Sequence, residues 1–308
     1  YICGGTRLRT DFGKDCDFDR VAESWELSCH KDGPSIVENG EYAGLTLPQA
    51  IEKAGKGVLG SNCERFKDFP ILIKLIDAKD NLSVQVHPDN DYAQRVEGEF
   101  GKTEMWYVVD ADEGAQLLYG FKKEISKEEF RACIRDNTLL DVVSSIPVKK
   151  GDVFFIDAGT LHAIGKGILI AEIQQNSNTT YRVYDYGRVG NDGKPRPLHV
   201  DKAVDVTKLC PPARKPGPAG EPRQQDGYVC TRLASCEYFT VDELKVAEKA
   251  ALCADSISFH ALLCLSGDAK VVCAGETLPM KKGDSLFLPA DSGDYVIEGA
   301  CEAILSRV

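Results

Sequence analysis

Four side chains in this sequence have the types and spacing to share one cation. Gln85 and His87 stand two apart in 82-LSVQVH-87, and residues two apart on a strand project from the same face. Glu104 opens a second strand-like run, 104-EMWYVVDA-111, and His162 follows a third, 153-VFFIDA-158. Imidazole nitrogens and a carboxylate oxygen are ordinary ligands of a catalytic zinc, and an amide oxygen can add a fourth. Such a set leaves room on the ion for water or substrate, whereas a closed structural site would favour cysteine.

The elements that must carry these residues are mostly strands. Short apolar runs such as 70-PILIKLIDA-78 and 168-ILIAEIQQ-175 are bounded by Gly, Asp and Asn, a pattern that predicts a barrel or sandwich. Helices are few. Thr46 is a candidate cap for 46-TLPQAIEKAG-55, and Ser126 with Glu129 has capping-box spacing at the start of 126-SKEEFRACIRDN-137. A third helix is expected near 199–209. The run 211-PPARKPGPAGEP-222 reads as a linker or strap. It divides an expected metal-binding domain, 1–210, from a second strand-rich domain, 223–308.

A repeat links the two halves. Residues 149-KKGDVFFIDAGTLHAI-164 align with 281-KKGDSLFLPADSGDYVI-297, with Gly151 and Gly283 expected to make the turn before each strand. The second copy has no histidine where His162 stands. This predicts two related barrels, the second lacking the metal site.

Bulk properties narrow the function. The chain has 308 residues, enough for two domains, and a net charge of −11, which disfavours nucleic acid as a partner. No run is apolar enough for a membrane span, no signal pattern is evident at the start, and a cytoplasmic location is the expectation. The twelve cysteines include no CxxC pair and are expected to be reduced, most of them small core residues.

The motifs also carry a family resemblance. Q-x-H followed by Glu, and then G-x(5)-D-A-G-x-x-H from Gly151 to His162, resemble the two motifs of the cupin superfamily, a jelly-roll β-barrel. More narrowly, 85-QVHPDN-90, 102-KTEMWYV-108, 157-DAGTLHAIGKG-167, 172-EIQQNSNTTYRVYDYGR-188, 4-GGTRL-8 and 23-ESWELS-28 resemble the type I mannose-6-phosphate isomerases in their shorter bacterial form. The resemblance implies two cupin-type jelly-roll barrels with a few short covering helices. It implies one Zn2+ on Gln85, His87, Glu104 and His162, a catalytic arginine at Arg182 and a motif lysine at Lys102. The sequence departs from longer relatives at Gly101 and Thr103, which flank Lys102 where those relatives have His and Pro. It also has Ile164 where some members have tyrosine, and Cys3 where tryptophan is usual.

The implied reaction interconverts mannose 6-phosphate and fructose 6-phosphate through a cis-enediol. It needs a Lewis acid at the sugar oxygens, fixed positive charge at the developing oxyanion and a base. Lys102, Glu172 and a water on the ion are all candidates for the base, and Arg182, Arg188, Lys166 and Lys102 for the phosphate site. His30, His199 and His260 have no partner motif and read as structural. The implied partner is a small sugar phosphate, with neither nucleic acid nor membrane, and the expected state is a monomer or weak homodimer. Two alternatives remain on sequence alone: a non-haem iron dioxygenase, disfavoured by Gln85, and a cupin that binds sugar without turnover.

Overall fold

The computed structural model describes residues 3–189 and 193–308. Its contacts divide the chain into two compact units. The first comprises Tyr1–Thr6, Phe18–Glu23 and Ile76–Pro216, the second Arg7–Asp17, Ser24–Leu75 and Gly217–Val308. The border at 216/217 falls inside the proline-rich strap. Segments 7–17 and 24–75, which the sequence reading assigned to the metal-binding domain, group instead with the C-terminal strands. The reason lies in their hydrogen bonds. Lys14 Nζ reaches both Glu26 Oε2 and the carbonyl of Gly283 at 2.5 Å, and Asn62 Nδ2 donates to the carbonyl of Val308 at 2.8 Å.

In the first unit two sheets face each other. One places Ile168–Gln175, Glu104–Ala111 and Val153–Ile156 side by side. The other runs Tyr181–Tyr184, Val84–Val86, His162–Ala163, Gln116–Phe121 and Val143–Pro147. Between them lies a core of Trp106, Val108, Phe154, Ile156, Ile168 and Ile170 from the first sheet with Leu117 and Tyr119 from the second. Alternation explains which residues turn inward. Val84, Val86, Tyr181, Val183 and Ala163 belong to a different apolar cluster, shared with Phe130 and Ile134 of the Lys127–Arg135 helix and Ala203 and Val204 of the Val200–Val206 helix. With their odd-and-even neighbours committed to those helices, Gln85, His162 and Arg182 face the interior between the sheets. Each large buried side chain on the helix-covered face contributes roughly 1.5–3 kcal/mol to holding that orientation.

Both expected helix starts form. Thr46 and Gln49 exchange hydrogen bonds as a capping box ahead of Leu47–Ala54. Ser126 accepts from the Glu129 amide at 3.0 Å. The first half of the strap lies on the first unit, where Arg214 sits 4.0 Å over the Phe155 ring and 3.5 Å from the Asp157 carboxylate.

The second unit is a nine-stranded sheet whose central member, His260–Cys273, pairs with Cys301–Arg307, Gly293–Glu298, Ser285–Leu288 and Glu276–Lys281. It closes on Leu244, Leu262, Cys264, Met280, Tyr295, Ile297 and Leu305. The chain is thus mostly β, two jelly-roll barrels with short helices. None of the twelve cysteines is in a disulfide, but only Cys3, Cys63, Cys133, Cys264 and Cys301 are buried, and Cys210 and Cys253 are exposed. Most of them are therefore not core residues. No helix among the described residues is long and apolar enough to cross a membrane.

Candidate active site

His87, Glu104 and His162 converge: one ligand atom from each lies within 4.8 Å of the others, and all three residues are buried. His162 Nε2 is 3.3 Å from Glu104 Oε1, and His87 Nε2 is 3.7 Å from Glu104 Oε2. Each ring is held by its other nitrogen. His87 Nδ1 lies 2.8 Å from the Thr179 carbonyl and His162 Nδ1 2.8 Å from the Thr160 carbonyl. A carbonyl only accepts, so each Nδ1 carries the hydrogen, which leaves Nε2, the nitrogen facing the cluster, as the one that can offer a lone pair. Burial pushes the His162 imidazole down to about 4, with the Lys102 charge adding to the effect; the ring is neutral at physiological pH. His162 Nε2 and Glu104 Oε1 are buried without a hydrogen-bond partner, while Glu104 Oε2 meets the Lys102 ammonium at 2.9 Å. Burying such atoms costs free energy unless something engages them, and two neutral imidazoles with one carboxylate suit a borderline divalent ion. The residues present therefore fit a metal.

Gln85 stands directly opposite both His162 and Arg182 in the strand register. Directly opposed residues share a face, so His162, Gln85 and Arg182 form a row across three strands. The Arg182 guanidinium is anchored by Nε to Ser83 Oγ and by a terminal nitrogen to the Pro197 carbonyl, each at 3.2 Å. Its backbone is bracketed by His199, whose Nδ1 accepts from the Arg182 amide and whose own amide donates to the Arg182 carbonyl. His199 is therefore a support of the arginine strand, which its isolated place in the sequence did not suggest.

Lys102 is buried against the cluster. Its Nζ lies 2.9 Å from Glu104 Oε2, 3.2 Å from His87 Nε2 and 3.8 Å from Glu172 Oε1. Burial pulls the ammonium's pKa down, but the carboxylates of Glu104 and Glu172 outweigh burial and the net shift is upward. Glu172 is fixed by Trp106, whose Nε1 donates to Glu172 Oε2 at 2.9 Å. The same indole packs edge-on against the His162 ring, centroids 5.2 Å apart. Beside Glu104 on the neighbouring strand is Gln174, fully buried, its Nε2 donating to two carbonyls and its Oε1 without a partner.

The loop presenting Lys102 and Glu104 is clamped by two amides. Asn90 Oδ1 accepts from the Gly101 amide at 2.8 Å and from Gln175 Nε2 at 3.0 Å, while Gln175 Oε1 accepts from the Thr103 amide at 2.9 Å. Gly101 is required here, because a Cβ would sit 2.4 Å from the Asp89 carbonyl carbon. Of the other cations named from sequence, Arg188 is tied to Asp185, to the Asn81 carbonyl and to Cys3, while Lys166 is exposed. None of those Arg188 contacts is with the cluster.

Two cupin barrels, one of them carrying a buried His–Glu–His cluster with an arginine on the same row, define the class: a bicupin with a candidate metal centre. Comparison with known proteins narrows it. A family model for "Phosphomannose isomerase type I, catalytic domain" matches residues 1–116, and one for "Mannose-6-phosphate isomerase, cupin domain" matches residues 229–308. The mannose-6-phosphate isomerase of Streptococcus mutans is 40% identical over 306 residues, covering 99% of this chain and 94% of the relative. Mannose-6-phosphate isomerase ManA of Bacillus subtilis is 37% identical over 308 residues, covering 100% and 95%. The crystal structure of the mannose 6-phosphate isomerase from Bacillus subtilis superposes with a TM-score of 0.93 at 37% identity, covering 100% of this chain and 96% of that one. Phosphomannose isomerase from Salmonella typhimurium shares the fold at a TM-score of 0.75 and 17% identity, covering 99% and 96%. The chain belongs to the type I mannose-6-phosphate isomerase family and is an aldose–ketose isomerase.

Proposed function

We propose that the chain interconverts mannose 6-phosphate and fructose 6-phosphate in a zinc-dependent reaction that passes through a cis-enediol. The observation that carries the metal dependence is the pair of orphaned buried atoms, His162 Nε2 and Glu104 Oε1, that converge with His87 in a member of this family. His87, Glu104 and His162 would hold the ion, with Gln85, opposite His162, as the amide ligand. Bound there, zinc supplies Lewis-acid polarisation of the sugar's oxygens.

The remaining chemistry falls to this chain's own side chains. Moving a proton between C1 and C2 develops negative charge on first one oxygen and then its neighbour. Arg182, on the same row as Gln85 and His162, places a fixed guanidinium at that charge, where exclusion of water increases its worth. Lys102 and Glu172, 3.8 Å apart and both buried, are the pair that holds and passes the proton. Trp106 keeps one Glu172 oxygen occupied and so turns the other toward Lys102. Arg182 and Lys102 are the catalytic residues the sequence pointed to, and this reading adds Glu172 as the partner of Lys102.

The test is a coupled isomerase assay on mannose 6-phosphate before and after chelation, with zinc added back. Turnover lost on chelation and restored by zinc is the expected outcome. Undiminished turnover in the metal-stripped protein would overturn the zinc dependence. Bound iron with oxygen consumption would point to an oxygenase, and affinity without turnover to a sugar-binding protein.

A further inference from the structure

The two barrels can be aligned residue by residue through their hydrogen bonds. In the first, the amide of Gly151 donates to the Val108 carbonyl and that of Val108 to the Asp152 carbonyl. In the second, Gly283, Cys264 and Asp284 make the same two bonds. Gly151 and Gly283 have φ of +90° and +93°, and Asp152 and Asp284 each accept from the lysine amide three residues earlier at 2.9 Å. Val108 therefore corresponds to Cys264, and four residues back along the same strand Glu104 corresponds to His260. The strand register agrees, since Glu104 opposes Ile156 and His260 opposes Leu288 at the same place in the repeat. The second copy is one residue longer between this strand and the end of the repeat. With that insertion placed in the turn before Gly293, the repeat sets His162 against Tyr295, the residue that meets His260 as His162 meets Glu104. Because Gln85 opposes His162 while Leu252 opposes Tyr295, Gln85 corresponds to Leu252 and His87 to Ala254. By the same pairing the Trp106–Glu172 couple corresponds to Leu262 and Leu305.

We infer that the second barrel keeps the ligand positions of the metal site but closes them with a metal-free clasp, the hydrogen bond between His260 and Tyr295. The positions that hold Glu104 and His162 at 3.3 Å in the first barrel hold His260 Nδ1 and the Tyr295 hydroxyl at 2.9 Å in the second. Both clasp residues are buried, at 7% and 1% exposure, and the other two positions are apolar. Where the first barrel leaves His162 Nε2 and Glu104 Oε1 without a hydrogen-bond partner, the second converges on atoms that satisfy each other. Its rim is covered as well. The amides of Ser61 and Asn62 donate to the Ser256 and Ile257 carbonyls, that of Phe259 to the Leu59 carbonyl, and that of Ala290 to the Val58 carbonyl. Gly60 packs so closely on Ile257 that a Cβ would lie 2.5 Å from its backbone. The second barrel is thus a sealed derivative of the site-bearing one, with hydrogen bonding and packing in the place of an ion.

Tyr295→Phe tests this with little change of shape. The melting midpoint of the second unit is expected to fall by roughly 2–4 °C, the size of one buried hydrogen bond, equally with and without chelator, with isomerase turnover and metal content unchanged. The fourfold variant Leu252→Gln, Ala254→His, His260→Glu, Tyr295→His is expected to raise bound zinc from one to two per chain. Should that variant not fold, the Tyr295→Phe measurement and the zinc stoichiometry of the native chain still decide the matter. A second ion in the native chain, an unchanged midpoint in Tyr295→Phe, or a loss of turnover in that variant would each overturn the clasp.

Discussion

Replacing Lys102 by methionine tests whether the first barrel was built around a cation. The ammonium lies 2.9 Å from Glu104 and 3.8 Å from Glu172, which are 0% and 3% exposed. Removing one partner of a buried ion pair leaves a charge uncompensated and costs about 3–5 kcal/mol. At an m of about 2.5 kcal/mol/M this lowers the urea midpoint by roughly 1–2 M. That is the expectation in chelator. With zinc present, Glu104 faces two positive charges instead, and the deficit should shrink to less than half. Turnover is lost in both conditions, since no proton can pass through a thioether. The chain has two tryptophans, Trp25 in the second unit and Trp106 in the first. A Trp25→Phe background therefore makes fluorescence report on the unit in question, which matters because a two-unit chain need not unfold in one step. Equal destabilisation with and without zinc would refute the reasoning, as would a midpoint unmoved in chelator.

Arg182→Ala is expected to keep fold and zinc content but to lose about 10²–10³ in turnover, the usual cost of removing one fixed donor from a developing oxyanion; near-native rates in the coupled assay would remove arginine from the mechanism. His162→Ala should reduce zinc to background by elemental analysis, and undiminished zinc would show the ligand assignment wrong. Gln175→Leu releases the Thr103 and Asn90 bonds and should cost about 2–3 kcal/mol with a fall in kcat larger than the change in KM; a stability loss with kcat intact would confine the clamp to folding. Burial raises the Asp185 carboxyl's pKa, yet hydrogen bonds and charge from Arg196 and Arg188 more than offset it and the net shift is downward. The stability this contributes is complete above an unfolded pKa of about 3.9 and fades as pH falls through the lower folded value. Asp185→Asn should flatten urea midpoints below about pH 4, and an unchanged acid limb would count against the pairing.

The sequence reads well where function depends on local spacing. Gln85 and His87 share a face because they are two apart, and Val84 and Val86 show which face by being the apolar alternates. His162 was legible from the turn before it, since Gly151 must take a positive φ and the D-A-G-T-L run has a fixed length. Lys102 was legible only through the family motif. Its spacing from Glu104 predicts a shared face, but nothing local shows that a second carboxylate, Glu172, approaches from a strand seventy residues away.

What sequence did not yield is the support around these groups, and the reason is physical. Ser83 and Arg182 meet across ninety-nine residues, Trp106 and Glu172 across sixty-six, and Asn90 and Gln175 across eighty-five. Each is an ordinary polar or aromatic residue whose role exists only once the strands are in register. The division of the chain was hidden for the same reason. The Pro–Gly strap marks where the backbone passes from one unit to the other, but proline content says nothing of where residues 24–75 will find their partners. His260 is the sharpest case. It carries no motif, and its isolation in the sequence pointed to a structural role. Only the hydrogen-bond ladder places it at the position of Glu104, and there its bond to Tyr295 gives that structural role a definite form. Two barrels built on one ladder have met the same problem, polar side chains converging between two sheets, in two ways. One leaves His162 Nε2 and Glu104 Oε1 unsatisfied and can then hold an ion and its substrate. The other satisfies them internally, and stability is all it can gain.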